Sequence, residues 1–152
     1  MLAEDGTFDC LKKWFSHKFR GYGIKYELGI NMVTGEIVWM NGPFRGATPD
    51  ISICRSGLLK VLPVVERVLA DKGYIGELQI VTPEKNRIDH PEDADLNRHR
   101  QLVERVIGRI KFFRICEAKY RGDLNKHQTL MNVICRLCNL MMLEEEPMRA
   151  PN

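Results

Sequence analysis

Apolar and polar residues alternate over residues 22–33, and this pattern predicts a half-buried β-strand. The apolar positions are Ile24, Tyr26, Leu28, Ile30 and Met32. Thr34-Gly35-Glu36 has the composition of a tight turn, and the apolar residues 37–40 predict a second strand. The two strands are therefore expected to form a β-hairpin, which Asn41-Gly42-Pro43 should end.

Helix and strand signals alternate in the middle of the chain. Thr48-Pro49-Asp50 combines a capping residue, a first-turn proline and an early acid, so a helix should begin there. After Pro63, the apolar residues 64–70 predict a mainly buried strand that ends at Asp71. Residues 78–81 predict another short strand, and residues 84–92 a polar loop.

The C-terminal half predicts two long helices. Residues 93–113 carry apolar positions at spacings of three and four, namely Val103, Val106, Ile107, Ile110 and Phe113. A last helix is predicted over residues 124–143, followed by a flexible tail over 144–152. The element order predicts an α/β fold over residues 1–143, with one mixed β-sheet (an antiparallel meander, then parallel strands) flanked by helices.

Composition limits the classes of protein that fit. A chain of 152 residues with 44% hydrophobic residues has the size of one domain with its own core. No apolar run approaches 18 residues and the N-terminus does not resemble a secretory signal, so we expect an intracellular protein without a membrane span. Cys135 and Cys138 form a CxxC that invites a zinc interpretation, but their apolar helical surroundings favour buried thiols.

Positive charge concentrates in two stretches. Nine basic residues and three acidic ones lie between Arg98 and Lys126, a net charge of +6. A second basic stretch near the start contains Lys12, Lys13, Lys18, Arg20 and Lys25. Such stretches attract phosphate backbones, although a solvated helix face would look the same.

Four acidic residues occupy positions that suit a metal site. Asp5 is expected at the end of a first strand, Asp50 at a helix start, Asp71 at the carboxyl end of a strand and Glu104 within the long helix. Carboxylates converging at one sheet edge need cations between them, and Mg²⁺ or Mn²⁺ prefers oxygen ligands. Each acid also has an ordinary interpretation as a turn residue, a helix-start acid or a partner of a nearby arginine.

The order and spacing of these motifs resemble the catalytic domain of PIF/Harbinger-type transposases, which are DDE superfamily endonucleases. The matching segments run through residues 3–142: Asp5-Gly6-Thr7, Gly42-Pro43-Phe44-Arg45-Gly46 before Asp50, Ala70-Asp71-Lys72-Gly73-Tyr74, and the Arg98–Lys111 stretch around Val103-Glu104-Arg105. No motif is decisive alone, and the set is fairly specific.

The resemblance implies an RNase H-like fold and a metal-dependent DNA endonuclease. Asp5, Asp71 and Glu104 would form the catalytic triad, with Asp50 as a further ligand of Mg²⁺ or Mn²⁺. Arg100, Arg105, Arg109 and Lys111 are the candidate phosphate contacts, and Arg105 and Arg109 have structural roles as alternatives. The resemblance also implies DNA as partner, a nuclear location and, because only four residues precede Asp5, a truncated first strand with a separate DNA-binding partner protein.

Two alternatives remain open at the level of sequence. The chain could be an inactive domesticated transposase fragment that binds nucleic acid or protein, or an RNase H-like ribonuclease with the same carboxylate chemistry. Asp71→Asn separates an endonuclease from a binding module, and RNA–DNA hybrid substrates separate the two nucleases.

Overall fold

The structure is a computed structural model that describes residues 12–16, 20–82, 91–118, 120 and 122–144, without the side chains of 91–97. Its strands are β1 (Phe15–Ser16), β2 (Gly21–Tyr22), β3 (Ile24–Ile30), β4 (Ile37–Arg45), β5 (Val68–Leu69) and β6 (Ile80–Val81). Its helices are α1 (Asp50–Ser56), α2 (Leu58–Val61), α3 (Pro91–Phe112), α4 (Arg114–Glu117) and α5 (Leu124–Glu144), with a 3₁₀ turn at Lys72–Tyr74.

The architecture is mixed α/β, as predicted. The described strands pair in three two-stranded sheets, β1 with β2, β3 with β4 and β5 with β6. The first is antiparallel and the last is parallel, with Val68 opposite Ile80 and Leu69 opposite Val81. An RNase H-like arrangement of one larger sheet is consistent with these pairs and stays a prediction. The expected first strand and Asp5 lie outside the described residues.

The described residues divide into two compact units, and the division passes through the β3–β4 hairpin. The first unit holds the described residues up to 27 and those from 41 to 82; the second holds 28–40 and the described residues from 91 onward. The prediction of one domain over 1–143 stays a prediction, and residues 145–152 of the expected tail lie outside the described residues.

The second unit is built on the two long helices, which confirms both helix predictions. Val106 and Ile110 of α3 are buried, as are Met131, Ile134 and Cys138 of α5. These positions recur every three or four residues, which is the spacing that aligns side chains on one helix face. Of the apolar stripe predicted for α3, Val106 and Ile110 are buried in the core, and Val103 and Ile107 are half-buried.

The hairpin turn is fixed to α5 by a side chain. The Asn31 side-chain oxygen accepts hydrogen bonds from the backbone N–H groups of Val33 (2.9 Å) and Thr34 (3.1 Å), and Gly35 has φ +78°. Asn139 of α5 accepts from Ile37 N at 2.9 Å and donates to Ile37 O at 3.0 Å. Both backbone groups of a buried strand residue are thereby satisfied by one amide side chain.

Two strand predictions are wrong in their extent. β4 does not end at Asn41 but continues through Gly42 and Pro43 to Arg45. Proline is tolerated there because each strand of a two-stranded sheet has an edge that needs no N–H donor. The expected buried strand over 64–70 shrinks to Val68–Leu69, because Val64 and Val65 lie in a turn and are each 91% exposed.

The CxxC pair lies in the core of the second unit. Cys135 and Cys138 are buried on α5, which confirms the prediction of buried thiols in the core. Burial raises the pKa of the Cys135 thiol to about 11, so it stays protonated and unreactive at neutral pH. No helix among the described residues is both long and apolar enough to span a membrane.

Candidate functional site

The candidate site of the first unit lies where β3 faces α1. Lys25 and Glu27 are two residues apart in β3, so their side chains share one face of the strand. Asp50 and Cys54 are four residues apart in α1, so they share one face of the helix. The two faces meet in two polar contacts, Lys25 with Asp50 and Glu27 with Cys54.

Lys25 anchors the start of α1. Its Nζ atom donates to Asp50 Oδ1 at 3.0 Å and to the Thr48 backbone carbonyl at 2.6 Å. The Lys25 side chain is 26% exposed and that of Asp50 is 41% exposed, so water still reaches the pair. The ammonium therefore fixes the direction of the Asp50 carboxylate more than it lowers the free energy of the fold.

A glycine brings the Asp50 carboxylate against the turn that carries Asp71. A Cβ atom built on Gly73 would lie 2.8 Å from Asp50 Oδ2 and 3.5 Å from Asp50 Cβ. A real Cβ atom does not approach another atom that closely, so only glycine allows this contact without a shift. The absence of a side chain at position 73 lets the Asp50 carboxylate lie against the Lys72–Tyr74 turn.

Asp71 opens that turn at the carboxyl end of β5. Its Oδ1 atom accepts a hydrogen bond from Lys72 N at 2.7 Å, which caps the 3₁₀ turn. The residue is exposed, so its second oxygen is accessible. The prediction that Asp71 follows a strand is confirmed, although the strand is shorter than expected.

The carboxylates around this turn affect the pKa of the Tyr74 hydroxyl. Burial raises the pKa of its half-buried hydroxyl well above the ordinary value of 10, and the negative charges of Glu27, Asp50 and Asp71 raise it further. Asp50 and Asp71 are thus close enough to one hydroxyl for both to act on it. At neutral pH the Tyr74 hydroxyl is a proton donor rather than a phenolate.

Glu27 is the most buried acidic side chain in the described part of the first unit, at 4% exposure. The Cys54 thiol hydrogen-bonds to it, and burial together with the negative charge of Glu27 raises the pKa of that thiol to about 11. Glu77 adds to the same effect, and it pairs with Arg55 at 2.6 Å. Cys54 is therefore a protonated donor to Glu27 and not a nucleophile.

Glu104 belongs to the second unit. It is exposed on α3, two residues before buried Val106, and does not belong to the buried stripe. Of the candidate phosphate contacts, Arg100, Arg105 and Lys111 are exposed and Arg109 is half-buried. Burial raises the pKa of the Cys138 thiol, and the positive charge of Arg109 opposes that rise, which places this arginine close to the core of its unit. Asp5 lies outside the described residues.

The described residues offer suitable donors for a divalent cation but not a complete set. Carboxylates such as Asp50 and Asp71 are the ligands that Mg²⁺ and Mn²⁺ prefer. No three acidic, histidine or cysteine side chains of the described ranges are grouped closely enough to hold a metal ion. One oxygen of Asp50 is bound by Lys25 and one of Asp71 by the turn, so each carboxylate has one further oxygen to offer.

The sequence pattern missed Lys25, Glu27 and Tyr74. The alternation of apolar and polar residues in β3 places Lys25 and Glu27 on the polar side of the strand, and it predicts that this side faces water. Only the position of α1 over that side explains why Glu27 is buried. A signal was nevertheless present, because Tyr74 stands in the same Asp71-Lys72-Gly73-Tyr74 segment as a predicted site residue.

Comparison of the sequence with known proteins identifies the family of this chain. Residues 8–139 match the family model described as DDE superfamily endonuclease. A relative from Microchaete diplosiphon, named probable transposase for insertion sequence element IS702, is 29% identical over 139 residues. That match covers 84% of this chain and 50% of the relative, so the chain spans about half the length of that protein. No solved structure matches. Because the family model matches well over half of the residues, the chain belongs to the DDE superfamily endonucleases.

Proposed function

We propose that this chain is the divalent-metal-dependent DNA endonuclease and strand-transferase domain of a Harbinger-like transposase. Family membership and the transposase relative support the general class of activity. The observation that supports specific site residues is the contact between the Asp50 carboxylate and the turn that begins at Asp71. Asp50 lies against Gly73, two residues after Asp71, and the negative charges of both acids act on the Tyr74 hydroxyl.

In this proposal Asp5, Asp71 and Glu104 are the catalytic triad, and Asp50 joins them as ligands of Mg²⁺ or Mn²⁺. A divalent cation, when bound, activates a water and stabilises the leaving oxygen of a phosphodiester. Lys25 holds the Asp50 carboxylate in one direction, and the hydrogen bond from Lys72 N does the same for the Asp71 carboxylate. Tyr74 keeps its proton and can donate it in a hydrogen bond to a phosphate oxygen.

The proposed phosphate contacts are Arg100, Arg105, Arg109 and Lys111 of α3. The exposed positions of Arg100, Arg105 and Lys111 support this role. Arg109 fits a structural role better, because it is half-buried and acts on the Cys138 thiol. The partner would be DNA, with a second protein supplying target recognition, and the nuclear location stays a prediction.

One observation favours a second function, that of an inactive fragment which binds nucleic acid or protein. Lys25 already supplies a positive charge to Asp50, at 3.0 Å. Under this alternative the carboxylates are structural, and metal has no effect on the protein.

A cleavage assay distinguishes the two functions. Asp71→Asn keeps an oxygen that can cap the Lys72–Tyr74 turn but removes the charge, so the fold should survive. Asp123→Asn is the matched control, because exposed Asp123 also accepts a backbone hydrogen bond, from Asn125 N at 2.9 Å. We expect Mn²⁺-dependent cleavage of duplex DNA by the wild type and the control but not by Asp71→Asn. Equal cleavage by all three, or none by any, contradicts the proposal; preference for an RNA–DNA hybrid assigns a ribonuclease instead.

A further inference from the structure

The first two strands carry an exposed surface that the proposed active site does not use. We call it the β1–β2 ribbon, and it comprises residues 13–16 and 20–22. Phe15 and Tyr22 lie opposite each other across the antiparallel pair, and their rings meet edge to face with centroids 5.4 Å apart. Tyr22 is 65% exposed although its ring is largely apolar. The contact with Phe15 holds the exposed Tyr22 ring in place on the ribbon.

Positive charge lies at both ends of this aromatic pair. Lys13 precedes Phe15 by two residues and Arg20 precedes Tyr22 by two, and both are exposed. Because the strands are antiparallel, the two basic residues lie at opposite ends of the ribbon. The sequence from Lys12 to Tyr26 contains no Asp or Glu, so no acid of this segment cancels the charge.

A third basic group extends the surface from β4. Arg45 is exposed at the end of that strand, and its guanidinium lies 5.8 Å from the centre of the Trp14 ring. The segment that follows is tied to the ribbon, since Ala47 N donates to Lys13 O at 3.2 Å. Gly46 permits this approach, because a Cβ atom there would lie 2.6 Å from Trp14 O. Arg45 is therefore held beside the ribbon by the backbone, and its charge adds to that of Lys13.

We propose that the β1–β2 ribbon binds single-stranded DNA, with an unpaired base stacked on Tyr22 and phosphates contacted by Lys13, Arg20 and Arg45. Basic groups around exposed aromatic rings are the combination that single-stranded nucleic acid requires, because phosphates attract the charges and every base can stack on a ring. The inference deepens the proposed function, on which it depends for the choice of DNA as ligand. It assigns the unpaired strand to a surface other than α3.

The test measures binding of a labelled single strand of about 12 nucleotides, within the range of known single-strand sites, in the absence of metal. We expect Tyr22→Ala to weaken binding by about 5- to 140-fold, which is the stacking energy of one base expressed as a ratio of Kd. Tyr22→Phe keeps the ring and should bind like the wild type. Because Tyr22 is largely exposed, neither variant should change the far-UV circular dichroism.

The charges are tested by the salt dependence of binding. Lys13→Gln and Arg20→Gln should each reduce the slope of log Kd against log salt by about 0.7, the value for one phosphate on a single strand. Lys60→Gln is the matched control, since Lys60 is an exposed lysine of α2 in the same unit. It should leave the slope unchanged.

The outcomes separate this inference from the endonuclease proposal. Wild-type binding to duplex DNA alone, or Tyr22→Ala binding as tightly as the wild type, overturns the ribbon even if Mn²⁺-dependent cleavage is observed. A chain that binds single strands with the expected variant pattern but does not cut DNA supports the ribbon and contradicts the endonuclease. Failure to bind any DNA overturns the ribbon, whatever the cleavage assay gives.

Discussion

The geometry of the Lys25–Asp50 ion pair allows its coupling free energy to be predicted. The two charged atoms lie 3.0 Å apart, and the side chains are 26% and 41% exposed. Coulomb's law at that distance gives about 1.4 kcal/mol in a water-like dielectric. Ordering two side chains offsets part of this gain, and measured pairs of such exposure usually contribute about 0.2–1 kcal/mol. We therefore expect a coupling free energy of about 0.5–1 kcal/mol.

A double-mutant cycle measures this coupling directly. Urea unfolding of the wild type, Lys25→Met, Asp50→Ala and the double variant gives the pairwise term, free of the bond from Lys25 to the Thr48 carbonyl. The coupling should fall at high salt, because water and ions reach the pair. A coupling above about 2 kcal/mol, or one that salt does not change, would refute the reasoning by showing that the pair behaves as buried. A coupling of zero would contradict the expected value and show that ordering the two side chains cancels their attraction.

Three further predictions concern other positions. Gly73→Ala places a Cβ atom 2.8 Å from Asp50 Oδ2, so the end of the Asp50 side chain must shift and the free energy of unfolding should fall by about 0.5–1 kcal/mol in a urea titration, whereas Gly23→Ala, with open space around it, should stay within about 0.5 kcal/mol. Gly108→Ala should raise the free energy of unfolding by about 0.5–1 kcal/mol, because Gly108 lies inside α3 and an added Cβ atom would meet nothing within 4 Å. A higher Tm of the variant would verify this increase. Burial lowers the pKa of His127 below its ordinary value of 6.5, so the unfolded chain takes up a proton first as the pH falls. Stability should therefore decrease as the pH is lowered from above 6.5 through the folded pKa, by at most about 1.4 kcal/mol per pH unit, and His127→Gln should lack this contribution.

Helices with one buried face were predictable from the sequence. The apolar spacing of α3 encodes both the type of element and the face that packs, because a helix repeats every 3.6 residues wherever it lies, and Val106 and Ile110 are buried as that spacing requires. In α5 the sequence predicts the helix but not its packed face, because Val133 and Leu137 are apolar and yet 48% and 41% exposed. The turn at Thr34-Gly35-Glu36 was equally local, since Asn31 and Gly35 supply its geometry within the same few residues.

Strand limits and the candidate site were less predictable, because they depend on residues far apart in sequence. The run over 64–70 is apolar, yet Val64 and Val65 find no partner strand in the described residues and lie in an exposed turn. The positions of Asp50 and Asp71 at the ends of their elements could be read locally. The contact between the Asp50 carboxylate and Gly73 could not be read locally, because it joins residues 23 positions apart in sequence.

Binding of Mn²⁺ to the folded chain tests the central claim most directly. Thermal unfolding is measured with and without Mn²⁺ for the wild type, Asp50→Asn, Asp71→Asn and the control Asp123→Asn. A ligand that binds only the folded state at about 100 times its Kd adds about 2.7 kcal/mol of stability. If Asp50 and Asp71 are metal ligands, Mn²⁺ raises the Tm of the wild type and of Asp123→Asn, and has a much smaller effect on the other two variants. Equal Tm shifts in all four proteins, or no shift in any, would contradict a metal site at these carboxylates.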